Sequence, residues 1–269
     1  MKYKIHILAV ALMGATSTYA QSIKVPVGKK FQVEIVTDIK TKTDIMGQSL
    51  DVSNIVTNTT AFEIKAVTEK GYTLSNTLKR IRMAVSMMGR DENVDSDDPA
   101  IKSNPQFAET FKALNKSYDV EVEGKKIISK NEMSDAASQI GAVPGVGDDP
   151  VKMIFPKDDF AKLKEGNVWK DSSKTEEAKT VFEYTVTKVT ESVTEITVKS
   201  AFSVDATVKQ AGMDVKQSLK GTSNARRQYD SGTGLLIKED ADVSLSGKMD
   251  IMGQSAPLEM NGKVTTTVK

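Results

Sequence analysis

The stretch KFQVEIVTDIKTKTDI (Lys30–Ile45) decides the fold. Phe31, Val33, Ile35, Ile39 and Ile45 hold alternate positions, and Thr37, Thr41 and Thr43 complete the same row. Gln32, Glu34, Asp38, Lys40, Lys42 and Asp44 fill the other row. Successive side chains on a strand point to opposite faces. A period of two kept up for this long therefore predicts a long antiparallel strand with one buried and one wetted face. Threonine fits because its branched Cβ packs well on a pleated surface.

The same rhythm returns along the chain. Ile81, Met83, Val85 and Met87 alternate, as do Ile196, Val198, Phe202, Val204, Ala206 and Val208, and again Leu235, Ile237, Ala241, Val243 and Leu245. Glycine-containing segments between or beside these runs read as turns: Glu69–Gly71, Met87–Arg90, Gln210–Asp214, Ser246–Asp250 and Met260–Lys263. Glycine supplies the positive φ of tight hairpins, and long strands joined this way make a meander. The hexapeptide DIMGQS occurs twice, at Asp44–Ser49 and Asp250–Ser255. Both copies read as hairpin tips, and the expectation is that the two hairpins lie side by side and close the sheet.

The middle of the chain differs. Asn104–Lys116 places Phe107, Phe111 and Leu114 on one helical face, with Pro105 at the start. Asn131 caps a second expected helix ending near Ile140, and Asp158 a third running through Lys164. Between the last two lies GAVPGVGDDP, an irregular Gly- and Pro-rich loop.

Three landmarks recur in one order. Gly28 and Phe31 match Gly166 and Trp169. Ala61-Phe62-Glu63 matches Val181-Phe182-Glu183. Tyr118-Asp119 with Gly124 and Ile127 matches Tyr229-Asp230 with Gly234 and Leu235. They predict two related halves. The predicted fold is mainly β (α+β): a long-stranded antiparallel meander in two halves, forming a curved sheet or half-barrel, with a few short helices in the connector. The expected divisions are a leader at 1–20, a first half at 21–130, a connector at 131–164 and a second half at 165–269, which together make one continuous domain in the simplest case.

The amino terminus reads as a secretory signal. Lys2 and Lys4 precede a short apolar run from Ile5 to Met13, and Thr18-Tyr19-Ala20 is a small-x-small site before Gln21. The run is too short to span a bilayer, and no later segment is long and apolar enough. The expectation is export to the periplasm or beyond, soluble after cleavage near Ala20/Gln21.

Composition narrows the chemistry. Removing Lys2 and Lys4 from a chain with 37 basic and 36 acidic residues leaves it close to neutral, without a basic block, which argues against a nucleic-acid partner. There is no cysteine, and the single histidine, His6, lies in the signal segment. That excludes Ser-His-Asp and Cys-His catalysis and the usual zinc sites in the mature chain. No Ser-x-x-Lys and no phosphate-cradling glycine loop occurs. The acidic run Asp91–Pro99 has the Asp91, Asn93, Asp95 spacing of an EF-hand start. Ser96 replaces the required glycine and Lys102 stands where a bidentate Glu is needed, so it reads as a solvated loop. Methionines crowd the turns (Met46, Met87, Met88, Met213, Met249, Met252 and Met260). A Cu(I) site at Met249 and Met252 is disfavoured because i and i+3 on a strand face opposite ways. A soft, adaptable apolar lining is the better functional use of this residue type. A membrane barrel would turn Lys, Glu and Asp toward lipid and shows no aromatic girdles. Trp169, the only tryptophan, reads as the anchor of the second half's core, as Phe31 is of the first. Arg226-Arg227 reads as lying on an exposed edge.

The segments FPKDDFAKLKEGNVWKDS (Phe155–Ser172) and RRQYDSGTGLLIKED (Arg226–Asp240) carry a Pro-containing run, then Gly-x-x-Trp before a strand, then an aromatic-Asp…Thr-Gly-Leu turn. In these the chain resembles a family of exported Gram-negative proteins of unknown function. The resemblance implies no catalytic residues. There is also a distant likeness to periplasmic lipoprotein-carrier folds, which implies a curved antiparallel sheet holding acyl chains against short helices. Phe107, Phe111 and Leu114 would then form a helical plug.

The function expected is non-enzymatic: binding of an apolar or amphiphilic, lipid-like ligand, with no cofactor and no metal. Met83, Met87, Phe107, Phe111, Leu114 and Phe202 are the candidate ligand contacts. The alternatives are an envelope scaffold or adhesion protein acting through sheet edges, and a hydrolase built on two carboxylates.

Overall fold

The computed structural model describes residues 24–45, 47–68, 71–104, 107, 111–123, 126–130, 150–155, 160–175, 177–210, 213–251 and 254–269. The signal segment, the helix expected at Asn131–Ile140 and the expected cap Asp158 lie outside them.

Twelve strands make one antiparallel sheet among the described residues. The first six are β1 (Lys30–Ile45), β2 (Gln48–Val67), β3 (Gly71–Met87), β4 (Arg90–Asp95), β5 (Ser117–Glu123) and β6 (Lys126–Lys130). The second six are β7 (Val168–Lys174), β8 (Ala178–Val189), β9 (Val193–Gln210), β10 (Met213–Asp230), β11 (Leu236–Ile251) and β12 (Gln254–Val268). Their order is β6-β5-β3-β2-β1-β12-β11-β10-β9-β8-β7, with β4 pairing the upper part of β3. The meander is broken twice, where β5 pairs β3 rather than β4 and where β1 pairs β12 and joins the halves. Among the described residues, two short helices, α1 (Pro99–Lys102) and α2 (Pro150–Ile154), and a 3₁₀ turn at Phe160–Lys162 lie in the connections.

The two-residue rhythm appears as two faces. Phe31, Val33, Thr37, Ile39 and Thr43 of β1 are buried, while Gln32, Asp38, Lys40, Lys42 and Asp44 are exposed or nearly so. One buried cluster joins Ile39, Phe202, Val204, Leu219, Val243, Leu245 and Leu258, which come from five adjacent strands and no helix. A flat single layer would leave such side chains wet. Their burial follows from the sheet being curved, with the apolar face turned inward.

Glycine lets neighbouring strands approach closely at two places where the sequence suggested turns. Ser246–Asp250 and Met260–Lys263 lie inside β11 and β12. A Cβ on Gly247 would stand 2.0 Å from the Ser218 carbonyl oxygen, and one on Gly262 would stand 2.0 Å from that of Asp38. These residues are needed for close approach of neighbouring backbones, not for a reversal of the chain.

Both DIMGQS copies are hairpin tips, with Ile45 opposite Gln48 and Ile251 opposite Gln254. The two hairpins are neighbours through the β1–β12 pairing. They do not close the sheet, however: they form its middle, and the free edges are β6 and β7.

The two halves are related, though not in the register of every landmark. Gly28 and Gly166 have φ of 83° and 85°. Gly28 N–H donates to Ile64 O as Gly166 N–H donates to Val186 O, and Ile64 and Val186 donate back to Lys29 and Asn167. The turns at Thr68–Gly71 and Thr190–Val193 are built alike, each threonine hydroxyl accepting from the last residue's N–H. Phe62 opposes Phe31 as Tyr184, not Phe182, opposes Trp169. Tyr229 opposes Thr194, whose counterpart Tyr72 opposes Val122, so Val122 rather than Tyr118 corresponds to Tyr229.

Helix α2 and the 3₁₀ turn bridge the halves at the end of the sheet opposite the DIMGQS tips. Val151, Ile154 and Phe155 pack with Phe31, Phe62, Leu74 and Val120. Met153 and Leu163 pack with Phe182, Tyr184, Ile196 and Tyr229. Trp169 stacks on Tyr184 with ring centroids 4.9 Å apart, and Phe31 on Phe62 at 5.5 Å, so each anchors its half as the sequence implied.

Candidate ligand-binding site

Four of the six expected contacts come together. Met83, Phe111 and Leu114 pack against buried Leu78, Ile81 and Ala113, and Phe107 stacks on Phe111 at 5.9 Å. The seam runs between the inner face of β3 and the segment Phe107–Asn115. Five of the thirteen residues of the helix expected over Asn104–Lys116 fall outside the described residues. Those described make single turns, with Leu114 N–H on Phe111 O, and Asn115 N–H donates to Leu78 O across to β3.

Met83, Phe107, Phe111 and Leu114 all remain only partly buried, whereas the floor beneath them is closed. The other two expected contacts lie elsewhere. Met87 is 43% exposed in the β3–β4 hairpin. Phe202 is packed in the central cluster, its ring lying against Gly221, where a Cβ would stand 2.5 Å from it. There it is packed in the core.

One side of the seam is fixed by the chain leaving β4. Arg80 donates from Nε to Asp95 Oδ1 at 3.0 Å and from Nη2 to Oδ2 at 2.5 Å. This bidentate contact, then the Asp97 N–H, holds the Asp95 carboxyl below the usual range, and the same contact raises Arg80. Ser96 is buried and accepts from Ile81 N–H while its own N–H donates to Ile81 O. The acidic run is thus a β4 strand with an ion-paired end. No three acidic, His or Cys side chains cluster to hold a metal among the described residues.

Sequence reading missed three features. The first is Tyr118, on the inner side of β5 opposite Asn76, whose buried hydroxyl has no hydrogen-bond partner among the described residues. Such a group costs about 1–3 kcal/mol unless something supplies a partner. Its place in the alternating burial of β5 was readable from the pattern.

The second is the ion pair of Arg227 Nε with Glu239 Oε2, side chains only 2% and 5% exposed. Arg227 is not on an edge; the residue on the outer face is Arg226, which pairs Glu195 at 2.6 Å. A β-bulge at Gln228/Tyr229 puts Leu236 opposite Tyr229 and leaves Ile237 facing out, while Glu239 faces inward in the same row as Ala241, Val243 and Leu245. The third feature is α2, whose Val151 and Met153 carbonyls accept from Tyr72 and Tyr229.

The aromatic-Asp…Thr-Gly-Leu turn is a built structure. Asp230 Oδ1 accepts from Thr233 N–H and Oγ1, both at 2.7 Å. Gly234, at φ 74°, sits under the Phe160 ring, which packs edge-on against Tyr229. Residues 151–236 match a family of unknown function, DUF6263. The match runs from α2 to the first residue of β11 and contains both Gly166-x-x-Trp169 and the Asp230 turn, the residues that carry the resemblance. No curated protein matches the sequence.

Among solved structures, one of lipid–protein interactions in lipovitellin is similar at 8% identity and TM-score 0.48, over 91% of this chain and 25% of that one. This chain therefore spans a quarter of that chain's length. An outer membrane channel from Pseudomonas putida F1 is similar at 10% identity and TM-score 0.31, over 94% of this chain and 98% of that one. No described helix is long and apolar enough to cross a membrane.

Proposed function

We propose that this is an exported, non-enzymatic protein that holds an amphiphilic, lipid-like ligand in the seam between β3 and Phe107–Asn115. The observation that carries this reading is the unequal burial of the seam. Its floor of Leu78, Ile81 and Ala113 is closed, while an adaptable methionine, two stacked phenylalanines and a leucine above it stay partly open. Burying such surface against an acyl chain is favourable by roughly 25 cal/mol per Å². Tyr118, one strand away on the same face, offers a hydroxyl in want of a partner among the described residues.

The alternatives have less support. The free edges β6 and β7 are five and seven residues long, and β7 carries Lys170, Asp171 and Lys174; short, charged edges deter strand addition. A carboxylate hydrolase needs one acid with a raised pKa, whereas Asp95, Glu195 and Asp230 are all lowered by their partners.

The test is mass spectrometry of organic extracts from protein purified without detergent. Wild type should carry a lipid-like molecule. A Met83→Ser/Phe111→Ser variant with an unchanged circular dichroism spectrum should carry several-fold less. Wild type that repeatedly emerges empty, or a variant loaded as fully as wild type, ends this reading.

A further inference from the structure

The polar face bears a second feature that the seam does not use. A hollow of about 560 Å³ crosses four strands, β1, β2, β3 and β5, and reaches Lys269 just past β12, at the α2 end of the sheet. Its floor is made of small side chains, Ala61, Ser75, Thr77 and Ser117, and its rim of Lys30, Lys65, Lys79 and Lys269. Register explains the shape. Gln32 stands opposite Ala61, Ala61 opposite Thr77, and Thr77 opposite Ser117, so one row of short residues runs across the sheet. Two irregularities in the β2–β3 register, at Thr59/Thr60 and Ile64/Ala66, flank that row. Bulges of this kind increase local twist and dent the face.

Charge in the hollow is one-sided. Glu63 is the only carboxylate side chain lining it against four ammonium groups. It serves two of them, Lys65 at 3.2 Å and Lys30 at 4.0 Å. Lys269 leans on Glu34 at 3.5 Å. Lys79 forms no ion pair with any described residue. In a chain with 37 basic and 36 acidic residues, this local excess is a segregation of charge, not a reflection of the whole. Beneath the ammonium groups the Thr77 and Ser117 hydroxyls are 2.7 Å apart; a hydroxyl pair keeps at least one proton for a further acceptor.

We infer that this hollow is a binding site for a phosphoryl-type anion, with the lysine rim supplying charge and the hydroxyl floor supplying directed hydrogen bonds. Charge-assisted hydrogen bonds of this kind are the stronger sort. The anion can be a free phosphorylated molecule or a phospholipid headgroup, and two probes separate them. The first is inorganic pyrophosphate, followed by calorimetry or by amide shifts of β2, β3 and β5. The second is co-sedimentation with vesicles of phosphatidylcholine alone and of phosphatidylcholine with phosphatidylglycerol.

The variant is Lys30→Gln/Lys79→Gln/Lys269→Gln. The control is Lys216→Gln/Lys220→Gln/Lys248→Gln, on the same face of β10 and β11. Binding of either probe should weaken roughly tenfold or more in the variant, fall with added salt and persist in the control. Response to pyrophosphate identifies a soluble ligand; response only to the phosphatidylglycerol vesicles identifies a headgroup. Binding of neither probe, or equal loss in the control, overturns the inference. Because the readouts do not involve the apolar seam, the result is independent of whether the protein carries an acyl chain.

Discussion

Single side chains set the energetics at three places. The Arg227–Glu239 pair is enclosed, so removing one partner leaves an uncompensated charge; Glu239→Gln should cost about 3–5 kcal/mol, and the double change Arg227→Met/Glu239→Leu should recover most of it. Urea unfolding of the single and double variants measures both. Gly262 has no room for a methyl group next to the Asp38 carbonyl, so Gly262→Ala should lower stability by about 1–3 kcal/mol or more. Asp230 is held below the usual carboxylate range first by the Thr233 hydroxyl, then by the Thr233 N–H. A depressed folded-state value means its contribution is complete above the unfolded pKa of about 4 and disappears as pH falls through the folded value. Asp230→Asn should therefore lower the denaturation midpoint at neutral pH and flatten its decline below about pH 4. An unchanged acid limb would show that the turn does not hold the carboxylate.

At the scale of elements, the duplicated glycine lead-in to β1 and β7 makes a paired prediction. Gly28 and Gly166 share one backbone conformation with open space around each, so Gly28→Ala and Gly166→Ala should each cost about 1 kcal/mol through φ alone. Thermal melts in which one substitution is silent would show that the two lead-ins are not equivalent. Strand identity was legible because the period of two is a local property. Lys30–Ile45 needed no tertiary information, and neither did the family turn at Asp230. The seam was partly legible, since helical spacing brought Phe107, Phe111 and Leu114 together and alternation supplied Met83. Phe202 and Met87 lie apart from the other four because alternation gives the face of a side chain but not its depth or its place along the strand. Glu239 stood in the inward row with Ala241, Val243 and Leu245, but alternation does not name the buried Arg227 that pairs its charge, and the bulge beyond it is what turned Ile237 out. Gly247 and Gly262 looked like turns because a glycine that allows close packing reads the same as one that reverses the chain.

For the molecule as a whole, protection should fall outward from the join. Strands β1, β12 and β11 are long and paired on both sides, while β6 and β7 are short and paired on one. Native-state hydrogen exchange should show the slowest amides at the join and the fastest at β6 and β7; uniform rates would indicate that the sheet opens as one unit. The join also dictates the order in which the protein can be made. The Thr43 hydroxyl donates to the Pro257 carbonyl across 214 residues of sequence. A chain emerging from the ribosome therefore holds β1 with one side unsatisfied until β12 has been synthesised, and refolding must close a very large loop before its central ladder can zip. Nascent chains stalled before β12 should be the species most prone to clump and most dependent on a chaperone.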